Sequence, residues 1–263
     1  MAYCNHCDLE FNNDFPPLAT EKVSFSQNYY LDTQKEAFIS QFNGGGTDPS
    51  LKFYQQGLRT IEKFTNGRSV LDVGAGLGSF MKMANDTGWE VAGLEISAFG
   101  SGFIREKYGF KVYEGDFLTA DHTPGSFDVL TFWDSIEHMQ FPKESLKRAY
   151  DLLKPGGVIL LSTDNYNSLI TYLAKLAFLV SLGKWSYPLK RVYTPYNKSY
   201  FNDRGMRNLV EETGFQVKIF KKIQYPVGKL KLNLIEKMIV KSLYSIESIF
   251  NWQSQFTIIA QRP

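Results

Sequence analysis

Val70-Leu71-Asp72-Val73-Gly74-Ala75-Gly76-Leu77-Gly78-Ser79-Phe80 is the stretch whose reading decides the fold. A short apolar, β-branched run carries an acid near its end, then three glycines at alternate positions. The apolar start Phe80-Met81-Lys82-Met83-Ala84 follows at once. That order predicts a buried parallel strand, a tight turn and a helix N-terminus. Glycine permits unusual φ and close approach of a ligand to the backbone. The helix start offers unpaired N–H groups. Asp72, acceptor-only when ionised, suits a cation or several donors. A dinucleotide site wants its third glycine three residues after the second. Ser79 stands there, which disfavours a pyrophosphate and an NAD-dependent enzyme. A structural glycine turn in some other α/β domain is the plain alternative.

The bulk numbers narrow the class. The 263 residues suffice for one large domain with a small appendage. A content of 43% hydrophobic and 21% charged residues is that of a soluble globular protein. A net charge of +2 makes no case for a nucleic-acid binder. Met1 to Glu10 is polar and has no apolar signal-peptide core. Two cysteines argue against a disulfide framework, and the apolar run Leu169 to Leu182 is too short to span a bilayer. The expectation is a cytoplasmic protein.

Asp72-Val73-Gly74-Ala75-Gly76-Leu77-Gly78 resembles motif I of the class I S-adenosylmethionine-dependent methyltransferases, an acid followed by G-x-G-x-G. Trp89 to Ser97 reads as a second strand ending in Glu95, where a carboxylate can accept both ribose hydroxyls. Phe110 to Phe117 is a third strand whose Gly115-Asp116-Phe117 end resembles the family's adenine site. There Asp116 would accept from the exocyclic amino group and Phe117 would give its backbone or ring; an Asp capping the next turn is the alternative. Ser126 to Asp134 is strand four, putting Trp133 and Asp134 beside the cofactor. Glu137-His138 after it resembles a branch with ubiquinone-type O-methyltransferases and small-molecule relatives. Leu153-Lys154-Pro155-Gly156-Gly157 before Val158 to Asp164 resembles the fifth-strand entry, a structural turn.

The resemblance implies a doubly wound, mostly parallel seven-stranded α/β sheet, Rossmann-like, ordered 3-2-1-4-5-7-6 with strand seven antiparallel. It covers residues 69–165 well and the rest loosely. Bound S-adenosylmethionine, or its product S-adenosylhomocysteine, would lie against Asp72, Gly74, Ala75, Gly76, Gly78, Phe80, Glu95, Ile96, Asp116, Phe117, Trp133 and Asp134. The activity implied is methyl transfer to a small, sugar-linked or lipid-linked acceptor, on oxygen or carbon more than nitrogen. His138 is the candidate base, since His6 and His122 belong to no strand-end motif. A locally bonded helix-start histidine is the even alternative. Glu137 either orients His138 or is solvated. A cofactor-binding regulatory protein without turnover is the alternative function.

Around this core, residues 1–28 form an N-terminal segment and linker, and residues 29–263 the methyltransferase domain. The latter includes a helical cap (29–66, with helices at 29–42 and 50–64) and insertions at 165–199 and 225–255. Cys4-Asn5-His6-Cys7 is one C-x-x-C knuckle, whereas a structural zinc site takes four ligands. It reads as free thiols, with zinc at Cys4 and Cys7 the lesser alternative. Helices are expected over Ser79–Thr87, Phe103–Tyr108, Pro142–Leu153 and Tyr200–Thr213. Strands are expected over Phe215–Phe220 and Phe256–Gln261. The Lys-rich amphipathic stretch 228–250 reads first as a helix packed on the sheet or a second subunit, as in a homodimer. Membrane-surface contact is its lesser reading.

Overall fold

Every residue of Val70–Val73, Val129–Trp133 and Val158–Thr163 is buried. A strand without an exposed face belongs in the middle of a sheet covered on both sides. The structure is a computed structural model and describes residues 2–4, 9–12, 30, 50–194, 196–224 and 234–263, without the side chains of residues 235 and 236. Its elements begin with β1 (Ala2–Cys4), β2 (Leu9–Phe11), α1 (Leu51–Ile61), β3 (Ser69–Val73), α2 (Ser79–Asp86), β4 (Glu90–Glu95), α3 (Ala98–Tyr108) and β5 (Lys111–Glu114). Then come β6 (Phe127–Trp133), a 3₁₀ turn (Ile136–His138), α4 (Pro142–Leu152), β7 (Leu153–Asp164), α5 (Leu169–Val180) and α6 (Tyr187–Val192). The chain continues through β8 (Ser199–Tyr200), α7 (Asp203–Glu212), β9 (Gln216–Ile223), α8 (Leu234–Phe250) and β10 (Gln255–Gln261).

Seven strands form one sheet in the order β5-β4-β3-β6-β7-β10-β9. β10 runs antiparallel to both β7 and β9, and the five strands from β5 to β7 are parallel. This is the architecture and strand order expected from the sequence. The period-2 alternation of side chains divides the core. Leu71, Leu130, Ile159 and Ile258 face α4 and α7 through Leu146, Leu152, Met206 and Val210. Val70, Val129, Val158 and Ile259 face α1 and α2 through Leu58, Ile61, Phe80 and Met83.

Three boundaries differ from the sequence reading, each for a local reason. The Leu153–Gly157 stretch does not precede the fifth strand but lies inside it. Phe127 pairs with Leu153 and Val129 with Val158, so β7 absorbs extra residues as a bulge, with Gly156 at φ 77°. The helix expected from Phe103 starts at Ala98, because Ser97 caps it by accepting from Gly100 N at 3.3 Å. The helix expected from Tyr200 starts at Asp203, capped by Asn202 accepting from Gly205 N at 2.7 Å. Ser199 and Tyr200 stay extended because they pair with Phe11 and Glu10.

That last pairing makes a second sheet, β1-β2-β8. Glu10 fixes it further: its carboxylate accepts from Lys175 Nζ at 2.9 Å and Tyr193 Oη at 2.6 Å. The N-terminal hairpin is thus docked on the first insertion. Cys4 lies on β1. His6, Cys7 and the helix at 29–42, Tyr30 excepted, lie outside the described residues. Among the described residues no group of His, Cys, Asp and Glu is arranged to hold a metal ion.

Candidate active site

Parallel strands end on the same edge of the sheet, so the tips of β3, β4, β5, β6 and β7 converge. At the tip of β3 the glycines take the left-handed φ anticipated for them: 79° at Gly74, 58° at Gly76 and 79° at Gly78. Gly74 and Ala75 donate to Leu94 O at 2.8 and 3.0 Å, pinning the turn to β4. A Cβ on Gly74 would lie 2.6 Å from Ser135 Cβ, whereas one on Gly76 would meet nothing within 4 Å. The middle of the turn therefore faces open space, and α2 begins at its far end.

Two carboxylates stand under this turn, both buried. Asp72 pairs in register with Gly93 on one side and Thr131 on the other, and accepts from Thr131 Oγ1 at 2.8 Å. Burial pushes its carboxyl up to about 7, with the nearby Glu95 carboxylate adding to the rise. Glu95 is also raised by burial, which outweighs the hydrogen bonds that favour its anion. Its oxygens accept from Gly76 N at 2.7 Å and Ser97 N at 2.8 Å, and from the Tyr30 hydroxyl and Ile96 N–H. No cation is among the groups that act most strongly on either carboxylate.

The remaining candidates divide by surroundings. Asp116 accepts from Leu118 N at 2.9 Å, closing an Asx turn at the tip of β5. The Phe117 ring is buried edge-on to Phe132 at 5.7 Å, so its backbone is the part left for a ligand. Phe80 and Trp133 are buried together, ring centroids 5.4 Å apart, beneath Tyr54 and Phe53 of α1. Helix α1 thus roofs the tip of β6. Asp134 follows with φ 48°, a conformation few non-glycine residues adopt. Its N–H donates to Ser162 O at 2.9 Å. Gln255 Nε2 bridges Asp134 Oδ1 and Asp164 Oδ1 at 3.1 and 3.3 Å.

Beyond Asp134 the 3₁₀ turn carries Glu137 and His138. Glu137 is 3% exposed, which removes the solvated reading. Burial, then the Asp134 and Asp164 carboxylates, push it well above the usual carboxylate range, and its Oε2 has no partner. His138 is half-buried, with Nδ1 3.0 Å from Tyr196 O. A carbonyl only accepts, so the proton sits on Nδ1 and Nε2 is the basic nitrogen. Burial holds this imidazole below its ordinary value, against the opposing effect of the Tyr196 carbonyl and Asp134. His122 is elsewhere, buried against Tyr113 at 4.1 Å near the β5 edge.

Sequence reasoning missed Thr131, Asp164, Tyr166, Asn197 and Gln255. Tyr166, Tyr193 and Tyr200 pack ring on ring at 4.8 to 5.3 Å, and Asn197 Nδ2 donates to Tyr166 Oη at 2.9 Å. Burial and the carboxylates of Asp164 and Glu137 push the Tyr166 hydroxyl well above its ordinary value. Only Asp164 carried a signal, an acid at a strand tip. The others come together through contacts remote in sequence.

A family model described as a methyltransferase domain matches residues 51–218. The chain belongs to this family. Among curated relatives, the ubiquinone biosynthesis O-methyltransferase of Idiomarina loihiensis is 33% identical over 120 residues, 42% of this chain and 49% of the relative. Phosphoethanolamine N-methyltransferase 2 of Caenorhabditis elegans is 24% identical over 188 residues, 63% of this chain and 42% of the relative. The chain thus spans about half the length of the curated relatives it matches. A SAM-dependent methyltransferase from Archaeoglobus fulgidus superposes with a TM-score of 0.56 at 20% identity, covering 86% of this chain and 99% of that one. Phosphoethanolamine N-methyltransferase 2 of Haemonchus contortus, in complex with S-adenosyl-L-methionine, has a TM-score of 0.57 at 18% identity, covering 90% of this chain and 60% of that one. At such identities the likeness is one of fold.

Proposed function

We propose that this methyltransferase-family chain binds S-adenosylmethionine over the glycine turn and transfers its methyl group to an acceptor held beside Asp134 and His138. The observation that carries the reading is the buried pair Asp72 and Glu95. Both carboxyls are raised and lack a strong cationic neighbour. A ligand with positive charge and hydroxyl donors suits both; a pyrophosphate would add anions to anions. S-adenosylmethionine supplies a methyl group on a positively charged sulfur, displaced in line by the acceptor.

The chain's own residues bind, orient and deprotonate. Gly76 leaves the backbone open to the ligand, Gly78 lets α2 start close against Ile104, and Asp72 holds the cationic end. Each Glu95 oxygen has two acceptor positions, so the ribose diol can be taken by Glu95 if the Tyr30 hydroxyl gives way. Asp116, Phe117 and Ile96 take the base through side chain or backbone, and Trp133 with Phe80 stiffens the wall. His138 Nε2, basic and neutral at neutral pH, removes the acceptor proton while Tyr196 O steadies the imidazolium that forms. Such a base suits an acidic hydroxyl or carbon acid, so the acceptor is a small molecule, free or linked to a sugar or lipid, methylated on oxygen or carbon. Placing the nucleophile in line is the largest contribution, up to about 7–11 kcal/mol in the best intramolecular cases.

The test is calorimetric titration with S-adenosylmethionine, S-adenosylhomocysteine and NAD. Binding of the two sulfur compounds without NAD is expected. No binding of either sulfur compound removes the reading. Tight binding with no methyl released to any acceptor pool leaves the regulatory alternative.

A further inference from the structure

We propose that the face built from α5, residues 181–187 and α8 docks on an anionic phospholipid surface. Helix α5, Leu-Ile-Thr-Tyr-Leu-Ala-Lys-Leu-Ala-Phe-Leu-Val, has a single charge, yet only Thr171 and Ala174 are buried. A helix apolar on all sides is normally enclosed by protein or lipid. Here its end projects from the fold, with Leu179 71%, Val180 74% and Leu182 85% exposed. Trp185 and Tyr187 continue this surface, rings of the amphipathic kind that sit at membrane interfaces.

Helix α8 lies beside it and extends the patch. Met238, Ile239, Leu243 and Ile246 line an open groove of about 500 Å³, and Ile249 and Phe250 are exposed at the helix end. The Trp252 ring joins the two helices, 6.0 Å from Tyr172 and stacked on Phe250 at 5.2 Å. Soluble monomers rarely leave so continuous an apolar face in water.

Charge selects the occupant. Asn165 to Asn202 contains no Asp or Glu, but holds Lys175, Lys184, Lys190, Arg191 and Lys198. Of these, Lys184, Lys190 and Arg191 are exposed around the patch; on α8 the exposed Lys237 and Lys241 are balanced in number by Glu236 and the buried Glu247, so the cationic excess belongs to the α5 side. The whole chain is only +2, so this cationic excess is local. A second copy docked about a two-fold axis would set like charges against each other. Among the described residues no helix is long and apolar enough to cross a membrane. Apolar side chains with cations beside them, on helices too short to span, match the acyl boundary and headgroups of an anionic leaflet.

The experiment is flotation of the whole chain, without cofactor, on vesicles of phosphatidylcholine alone and of phosphatidylcholine with roughly a quarter phosphatidylglycerol. The independence from cofactor separates this inference from the proposed activity. Binding to the anionic vesicles, weakened by salt, is expected. The double variant Leu179→Asp/Leu182→Asp should lower partitioning at least tenfold. Lys184→Gln and Lys190→Gln, surface changes that leave the apolar face whole, should each lower it about fivefold. Unchanged thermal melting in these variants shows that they fold. A protein that stays in the soluble fraction with both vesicle types overturns the proposal. So does a lipid-free dimer that Leu179→Asp dissolves, which assigns the face to a second copy.

Discussion

Replacing Asp72 with Asn separates the electrostatic account of the cofactor site from a purely structural one. Asn keeps the shape and can accept from Thr131, but cannot ionise. In the free wild type the carboxyl titrates at about 7. A cationic ligand favours the ionised form, so binding at lower pH requires proton release, and the apparent dissociation constant scales as one plus the ratio of protonated to ionised Asp72. That factor is roughly 1.1 at pH 8 and 11 at pH 6, a tenfold weakening or ~1.4 kcal/mol. The assay is calorimetry with S-adenosylmethionine at several pH values on both proteins. Subtracting the Asn profile removes the ligand's own amino-group titration, which falls near pH 8.

The same substitution carries an independent stability sign. The folded carboxyl lies above its unfolded value of 3.8, so ionisation costs stability as pH rises through the folded value. Ligand-free Asp72→Asn should therefore be more stable than wild type at pH 8, by ~2–4 kcal/mol, in urea unfolding. A wild-type affinity flat from pH 6 to 8, or an Asn variant retaining the wild-type slope, would refute the reasoning. A variant that is more stable yet binds less well would support it doubly.

Thr131→Val removes the hydroxyl that favours ionised Asp72, so the midpoint of the affinity profile should move to higher pH, read in the same titrations. His138→Ala should leave cofactor affinity near wild type and lower turnover by ~10²–10⁴-fold; full activity with any accepted substrate would retire the base assignment. Asp128 accepts from Ser69 N and Oγ and from Lys154 Nζ at 2.7 to 3.0 Å, and its carboxyl lies below its ordinary value because these bonds outweigh its burial. Asp128→Asn should cost ~1–3 kcal/mol at pH 7, and the difference should shrink as pH falls below about 4 and the wild-type carboxyl is protonated; urea titrations at pH 7 and 3 measure it.

The strands were legible because each is a short apolar run with a marked end, whereas their order came from the family resemblance alone, since the chain reverses direction across the sheet and β6 pairs with β3 rather than with β5. Local chemistry marked them: glycines at Gly74, Gly76 and Gly78, acids at Asp72 and Glu95, and the Leu153–Gly157 entry. The bulge within β7 was not legible, since a bulge is a property of two strands together. Helix α3 was cut short because Gly100 and Gly102 interrupt its pattern, while the cap at Ser97 depends on backbone geometry. The acceptor side was least legible. Gln255 meets Asp134 across 121 residues, and no spacing in the chain announces such a contact. Asp116 and Glu95 were found as strand-end acids; the turn-capping alternative weighed for Asp116 matches its bond from Leu118 N, whereas the Gly76 and Ser97 partners of Glu95 were not legible.

The small sheet β1-β2-β8 has a consequence for the order in which the molecule assembles. The hairpin β1-β2 is joined to β8 by two residue pairs, Glu10 with Tyr200 and Phe11 with Ser199, and by Asn12 N donating to Lys198 O, and Glu10 reaches Lys175 and, across 183 residues of chain, Tyr193. Closing so long a loop gains few contacts, so this joint forms after the parallel sheet and opens before it. The Tyr193 hydroxyl of the tyrosine cluster is thereby held by the last piece to fold. In native-state hydrogen exchange the amides of β2 and β8 should open as one low-energy unit, while β3 and β6 exchange only with global unfolding. Under the proposed function, opening of this joint would expose the acceptor side by local unfolding, decoupled from the stability of the sheet that carries the glycine turn.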